Sequence, residues 1–156
     1  MRLTRLFEQP YTESTTIEGD LHQDEFVNLL AKHKALLLRS DNDESPYNVN
    51  DFARIIQTLN LEEYEYIGGA APRRIIPTDI PDVTVYTANE APPDQLIPFH
   101  HELAQVKTPP QFIFFYCDLP SETGGETALI DSTLVYRFVN ENFPEFMEKL
   151  KKYGYV

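Results

Sequence analysis

An almost unbroken run of apolar and aromatic side chains, Gln111 to Cys117, constrains the fold of this chain more than any other segment. Successive side chains of a strand point to opposite faces, so a run of this kind is typical of a strand that is buried on both faces. Such a strand needs covering layers on each side. The sequence therefore predicts a core built on a sheet.

The composition is that of a globular protein. The chain has 156 residues, of which 42% are hydrophobic and 12% aromatic, enough for one domain with a buried core. Its 13 basic and 25 acidic residues give a net charge of −12. Nucleic acids and anionic membranes bind clustered Lys and Arg, so the charge argues against either as the main partner.

Targeting signals are missing from the sequence pattern. No stretch approaches the ~20 apolar residues of a membrane-spanning helix, and the first residues lack the apolar core of a secretory signal. Cys117 is the single cysteine, so no intrachain disulfide can form. Its position in the apolar run favours a buried thiol. We expect a cytoplasmic protein.

Helical patterns lie at both ends of the chain, around short strand-like runs. Residues 1–19 look irregular, and glycines and prolines predict an ordered loop from Leu61 to Pro81. The order favours the α+β class. The predicted helices are 21–34, capped by Asp20, a second capped by Asn50, a third capped by Asp131 or Ser132, and a fourth that begins at Pro144, has Phe146 and Leu150 on its inner face and ends at a Gly154 cap. The predicted strands are 35–39, 83–87, 96–102, 111–117 and 126–130, the last after a turn at Gly124-Gly125.

The tripeptide His100-His101-Glu102 carries a possible metal site. On an extended segment His100 and Glu102 point to the same face, and His101 points to the other. Imidazole and carboxylate together suit Fe(II), Mn(II) or Zn(II). Taken alone, the tripeptide is equally well explained by a structural histidine beside a surface glutamate.

Several ordered segments together resemble the TauD/TfdA family of Fe(II)- and 2-oxoglutarate-dependent dioxygenases, in its clavaminate synthase-like branch. The resemblance covers about Leu21 to the end of the chain. The segments that carry it are 68–73 (GGAAPR), 88–95 (ANEAPPDQ), 97–105 (IPFHHELAQ), 114–117 (FFYC) and 124–127 (GGET).

The resemblance implies a double-stranded β-helix, a jelly-roll-like core, with flanking helices. It implies that His100 and Glu102 are the first two ligands of Fe(II), and that the Thr127 hydroxyl contacts the carboxylate of 2-oxoglutarate. Thr127 is also a residue that simply favours strands. The implied reaction consumes O2, oxidises or hydroxylates a small organic substrate, and releases succinate and CO2.

The sequence departs from the family pattern in its second half. The family's distal iron-binding His and its 2-oxoglutarate-binding Arg have no counterpart here. We therefore expect residues 1–156 to be the N-terminal part of one such domain, truncated within the β-helix. The alternative is a catalytically inactive fragment or a partner that completes another chain's sheet. A zinc hydrolase using His100 and Glu102 also lacks a third ligand.

The remaining polar residues of interest have simpler interpretations. His22 and His33 lie on or near an amphipathic helix, where solvated surface positions are expected. Arg73 and Arg74 could meet an anionic substrate, but the Gly/Pro-rich loop favours surface exposure. For His101, packing or a backbone hydrogen bond is the favoured interpretation.

Overall fold

A computed structural model describes residues 2–5, 14–16, 21–40, 46–66, 73–88, 92 and 94–154. The backbone divides into two compact units, Met1–Gly125 and Glu126–Val156. The structure contains both helices and short strands, as the sequence predicts. The described elements are the strands β1 (Arg2–Arg5), β2 (Ser14–Thr16), β3 (Leu36–Arg39), β4 (Ile75–Ile76) and β5 (Val85–Tyr86), and the helices α1 (Gln23–His33), α2 (Val49–Thr58), α3 (Ser132–Asn142) and α4 (Pro144–Tyr153).

The first three strands form an antiparallel sheet with the order β2-β1-β3. Arg2 pairs with Arg39 and Arg5 with Leu36, so β1 pairs with β3 along its whole length. The prediction of an irregular segment over residues 1–19 is therefore wrong where β1 and β2 form. Strands pair through backbone N–H and C=O groups, which every sequence carries. The segments of β1 and β2 have no alternating apolar residues, so the side-chain pattern did not indicate these strands.

The two helices of the first unit begin close to their predicted positions, but with other capping residues. His22 is the N-cap of α1, without a side-chain capping bond, and the predicted cap Asp20 lies outside the described residues. In α2 the Asn48 side chain accepts from the Asp51 backbone N–H at 3.1 Å, and the Asp51 carboxylate accepts from the Asn48 N–H at 3.0 Å. This capping box satisfies otherwise unpaired N–H groups, so the prediction of Asn50 as the cap is wrong.

A short antiparallel hairpin interrupts the predicted loop. In it Ile75 pairs with Tyr86, and Ile76 pairs with Val85. This confirms the predicted strand around 83–87, while the loop prediction over 61–81 is wrong at β4. Residues 67–72 of that loop lie outside the described ranges.

The core of the first unit lies between α1 and the apolar run. Leu21, Phe26 and Leu59 are buried together. The Phe26 ring lies 5.5 Å from the Phe114 ring, stacked, and 5.7 Å from the Phe112 ring, edge to face. These are favourable aromatic arrangements, and they hold the run against the helix.

The apolar run has one packed face and one open face. Phe112 and Phe114 are partly buried, whereas Ile113 is 52% and Phe115 60% exposed. The prediction of a strand buried on both faces is wrong, because no strand in the described ranges pairs with this segment and nothing there covers its second face. The predicted buried thiol of Cys117 is wrong for the same reason, since it lies exposed on that side.

Tyr116 attaches the end of the run to α2. Its ring stacks on Phe52 at 5.4 Å, and its hydroxyl donates to the Tyr47 carbonyl at 2.7 Å. The hydroxyl also lies 3.3 Å from Asp118 Oδ1. Burial raises the pKa of the Tyr116 phenol, and the nearby Asp118 carboxylate raises it further.

The second unit contains α3 and α4. Asp131 caps α3 through a 2.8 Å bond from the Thr133 N–H, Pro144 begins α4, and Gly154 ends it at φ 70°, all as predicted. Met147 is the buried residue of α4, and the predicted inner position of Phe146 is wrong because its side chain is exposed. The predicted strand 126–130 does not form. None of the helices in the described ranges is long and apolar enough to cross a membrane.

The one-sided core predicts that removing an aromatic ring on the packed side of the run destabilises the protein far more than removing one on the open side. Phe26→Ala should lower the free energy of unfolding by about 3–5 kcal/mol, because it empties the space between Phe112 and Phe114. Phe115→Ala, on the open face, should change it by less than about 0.5 kcal/mol. Urea unfolding followed by circular dichroism measures both. Equal losses in the two variants would contradict one-sided packing.

Tyr116→Phe should lower the free energy of unfolding by about 1 kcal/mol at neutral pH, since the hydrogen bond to Tyr47 is lost. Above the ordinary tyrosine pKa of 10.0 the folded wild type holds its phenolic proton more tightly than the unfolded chain does. Its stability then falls with rising pH. Urea unfolding of both proteins should show their difference shrinking above that pH, and a constant difference would contradict the shifted pKa.

Candidate functional site

The histidine and the glutamate of the HHE tripeptide come together on an irregular segment rather than on a strand. The predicted extended run 96–102 is wrong, because a turn begins at Glu102. Leu103 has φ 51°, and the Ala104 N–H donates to the His101 carbonyl at 3.2 Å. A left-handed conformation costs a non-glycine residue about 1–2 kcal/mol. The Leu103 side chain is buried, which holds this turn in place beside Glu102.

His100 presents its Nε2 atom to the glutamate. Nε2 lies 3.6 Å from Glu102 Oε2, and Nδ1 lies 2.8 Å from the Pro98 carbonyl oxygen. Because a carbonyl oxygen only accepts, Nδ1 carries the proton of the neutral ring. The lone pair is then on Nε2, the form in which an imidazole binds a metal.

Glu102 uses its two oxygens differently. Oε2 faces His100, whereas Oε1 accepts from the Tyr66 hydroxyl at 2.6 Å and lies 3.8 Å from Arg73 Nη2. Its side chain is 20% exposed, against 53% for His100. The carboxylate is therefore held from behind by two groups, and one oxygen remains toward the imidazole.

Arg73 ties this cluster to the hairpin. Its Nη1 donates to the Thr87 carbonyl at 3.1 Å, and its Nη2 donates to the Tyr66 oxygen at 3.4 Å. The guanidinium lies 5.4 Å from the centre of the Tyr66 ring. The expected surface exposure of Arg73 is wrong, because the carboxylate of Glu102 and the carbonyl of Thr87 hold the guanidinium inside.

The environment keeps the Tyr66 hydroxyl in its donating form. Burial raises the pKa of the Tyr66 phenol, and the hydrogen bond to the Glu102 carboxylate raises it further. Arg73 acts in the opposite direction. The balance is a phenol that remains protonated and can donate to Glu102.

A cavity of about 1600 Å³ adjoins the buried side of this cluster. It is larger than the ~300–1,000 Å³ of a typical small-molecule site. Its lining includes both polar and aromatic side chains. Lining residues include Tyr66, Arg73, Glu102, Phe112, Phe114 and Tyr116.

The pair supplies two donors for a metal ion, and the described ranges supply no group of three His, Cys, Asp or Glu side chains placed for one. A neutral imidazole nitrogen beside a carboxylate oxygen fits a cation of the Fe(II), Mn(II) or Zn(II) type. The charge of Glu102 and the free Nε2 lone pair provide the attraction. The pair is chemically suited to a divalent metal, and its role as a pair of metal ligands stays a prediction.

Thr127 lies in the second unit, on an exposed segment without regular structure. Gly124 and Gly125 both have positive φ, 72° and 79°, but neither lies in a hydrogen-bonded turn, so the predicted turn before Thr127 is not confirmed. A Cβ on Gly125 would lie 2.8 Å from Ser121 Oγ, so a side chain there would require Ser121 to move. The role of Thr127 toward 2-oxoglutarate stays a prediction.

The sequence pattern carried no sign of the role of Tyr66 and only a partial sign of the role of Arg73. Tyr66 follows a glutamate-rich segment and carries no motif of its own. Arg73 was noted only as a possible contact for an anion. The positive charge of Arg73 was a usable signal, because a buried glutamate needs a positive or hydrogen-bond-donating partner. Which glutamate it would meet depends on the tertiary structure. His33, expected at the surface, is buried.

Comparisons with known proteins agree on one family. The family model described as taurine catabolism dioxygenase TauD, TfdA family matches residues 3–155. A clavaminate synthase-like protein of Arabidopsis thaliana is 41% identical over 128 residues, which cover 81% of this chain and 36% of the relative.

A second relative is the dapdiamide synthesis protein DdaC of Enterobacter agglomerans. It is 28% identical over 149 residues, which cover 89% of this chain and 42% of that protein. The chain thus spans less than half the length of either relative. No solved structure matches the chain significantly.

The geometry of His100 predicts a specific tautomer. At a pH where imidazoles are neutral, long-range ¹H–¹⁵N correlation spectra should show His100 protonated on Nδ1, because Pro98 accepts that proton. The neighbouring His101 is an internal reference in the same spectra. Finding the proton of His100 on Nε2 would contradict the site as described.

Proposed function

The chain belongs to the TauD, TfdA family, and on this premise we propose that it carries the first part of an Fe(II)- and 2-oxoglutarate-dependent dioxygenase site. The reaction would oxidise or hydroxylate a small organic substrate with O2 and release succinate and CO2. The observation that carries the proposal is the approach of His100 Nε2 to Glu102 Oε2, 3.6 Å apart.

His100 and Glu102 would be the first two ligands of the metal. The Pro98 carbonyl orients the imidazole by accepting from Nδ1, and this leaves Nε2 for the ion. Glu102 adds the negative charge that offsets part of the charge of a divalent cation. Bound iron would supply the oxidising chemistry with O2, and these two residues would hold and orient it.

The hydroxyl of Thr127 would donate to the carboxylate of 2-oxoglutarate. A carboxylate that leaves water needs donors to replace its lost hydrogen bonds. Gly124 and Gly125, both with positive φ, precede this residue. The role is carried over from the family resemblance of the Gly-Gly-Glu-Thr segment.

The fold that we propose for the whole domain is a double-stranded β-helix, of which residues 1–156 would form the N-terminal part. Family membership supports it, as does the apolar run with one open face. Ile113 and Phe115 on that face would be covered when a full sheet is present. The cavity beside Glu102 would then be reduced to the size of a small-molecule site.

A second candidate is a catalytically inactive fragment, or a partner that completes another chain's sheet. Two observations favour it: the described ranges place only two metal donors together, and the open face of the apolar run offers a surface for further strands. Two ligands hold divalent iron less firmly than three do. Both candidates include the metal pair, but only the dioxygenase would convert 2-oxoglutarate to succinate.

The test combines binding and turnover by the whole chain. Without oxygen, Fe(II) and 2-oxoglutarate should give the visible charge-transfer absorption of an iron-bound 2-oxo acid. His100→Ala and Glu102→Ala should abolish it, because each removes one of two protein ligands. His101→Ala, which removes the neighbouring exposed imidazole, is the matched control and should keep the absorption.

Turnover then separates the two candidates. Succinate formed from 2-oxoglutarate after O2 is admitted supports the dioxygenase, and absorption without succinate supports the inactive fragment. The same absorption in wild type and in His100→Ala would contradict the metal pair. Thr127→Val should weaken 2-oxoglutarate binding by roughly 10- to 100-fold, since one hydrogen bond to a charged group is worth about 1.5–3 kcal/mol.

A further inference from the structure

We propose that Tyr66 is a positioning residue that occupies one oxygen of Glu102, so that this glutamate binds a metal through the other oxygen alone. The inference rests on the proposed metal pair and deepens it. Its subject is the coordination mode of the carboxylate. That mode is set by the side chains behind Glu102.

The two oxygens of Glu102 differ in what they face. The Tyr66 hydroxyl donates to Oε1 at 2.6 Å, within the short range of O–H···O⁻ bonds. Oε2 faces His100 Nε2 at 3.6 Å. A carboxylate that binds an ion through both oxygens must turn both toward it, so chelation would turn Oε1 away from the Tyr66 hydroxyl and weaken this bond.

Tyr66 is itself held in place. Arg73 Nη2 donates to the phenolic oxygen at 3.4 Å, while Nη1 is fixed on the Thr87 carbonyl at 3.1 Å. The Tyr86 ring lies 5.9 Å from the Tyr66 ring. Arg73 and Tyr86 therefore fix the position of the Tyr66 hydroxyl. If the Glu102 carboxylate rotated, it would lose its charge-assisted hydrogen bond from this hydroxyl.

The consequence is one more free position on the ion. A glutamate bound through one oxygen occupies a single coordination position, whereas a chelating glutamate occupies two. A six-coordinate ion that must admit a third protein ligand, a chelating cosubstrate and O2 needs that extra position. Tyr66 would thus keep the ion open, in the way that hydrogen-bond partners behind metal ligands orient them in other proteins.

Infrared difference spectroscopy tests the inference on the full chain, with glutamate ¹³C-labelled at its side-chain carboxylate and Mn²⁺ as the added metal. The separation between the antisymmetric and symmetric carboxylate stretches is larger for binding through one oxygen than through both. Subtracting the metal-induced spectrum of Glu102→Gln isolates the signal of Glu102. Wild type should show the larger separation.

Tyr66→Phe should narrow the separation, because Oε1 loses its hydrogen-bond donor and keeps only the more distant Arg73 Nη2, at 3.8 Å. Tyr116→Phe, which removes a similarly part-buried hydroxyl that bonds to Tyr47, is the matched control and should keep the wild-type value. An unchanged separation in Tyr66→Phe would overturn the inference and leave the metal pair standing.

The wild-type spectrum alone can also overturn the inference, so the test does not depend on the folding of a variant. A small separation in wild type would show a chelating Glu102 and a wrong assignment for Tyr66. Identical metal-induced spectra in wild type and Glu102→Gln would remove the proposed metal pair, and the inference with it.

Discussion

The packing of Phe26 against Phe112 and Phe114 is the interaction on which the first unit depends. It joins α1 to the apolar run and gives that run one buried face. Ile113 and Phe115 remain exposed on the other face. The large cavity and the open aromatic surface both accompany this one-sided core, because only one face of the apolar run is buried.

The site depends on a second constraint, the desolvated carboxylate of Glu102. A partly buried charge needs donors, and Tyr66 and Arg73 provide them from two separate segments. The same contacts connect the hairpin to the turn at Leu103. The donors that stabilise the Glu102 carboxylate therefore also decide which of its oxygens faces His100.

Local patterns predicted much of this structure, and contacts distant in sequence decided the rest. Helical periodicity located α1 to within two residues at its start, and the motif located His100 and Glu102. The strand expected at Glu102 was wrong because a buried Leu103 holds a turn there. Tyr66 could not be predicted, since its partner lies 36 residues away and no local pattern connects them.

The central claim is that His100 and Glu102 face one divalent cation. The most direct measurement is the paramagnetic broadening of backbone amide signals by substoichiometric Mn²⁺ in ¹H–¹⁵N spectra of the whole chain. We expect broadening centred on the amides of residues 99–102 and of Tyr66, lost in His100→Ala and kept in His101→Ala. Broadening spread over the acidic surface, unchanged in His100→Ala, would contradict it.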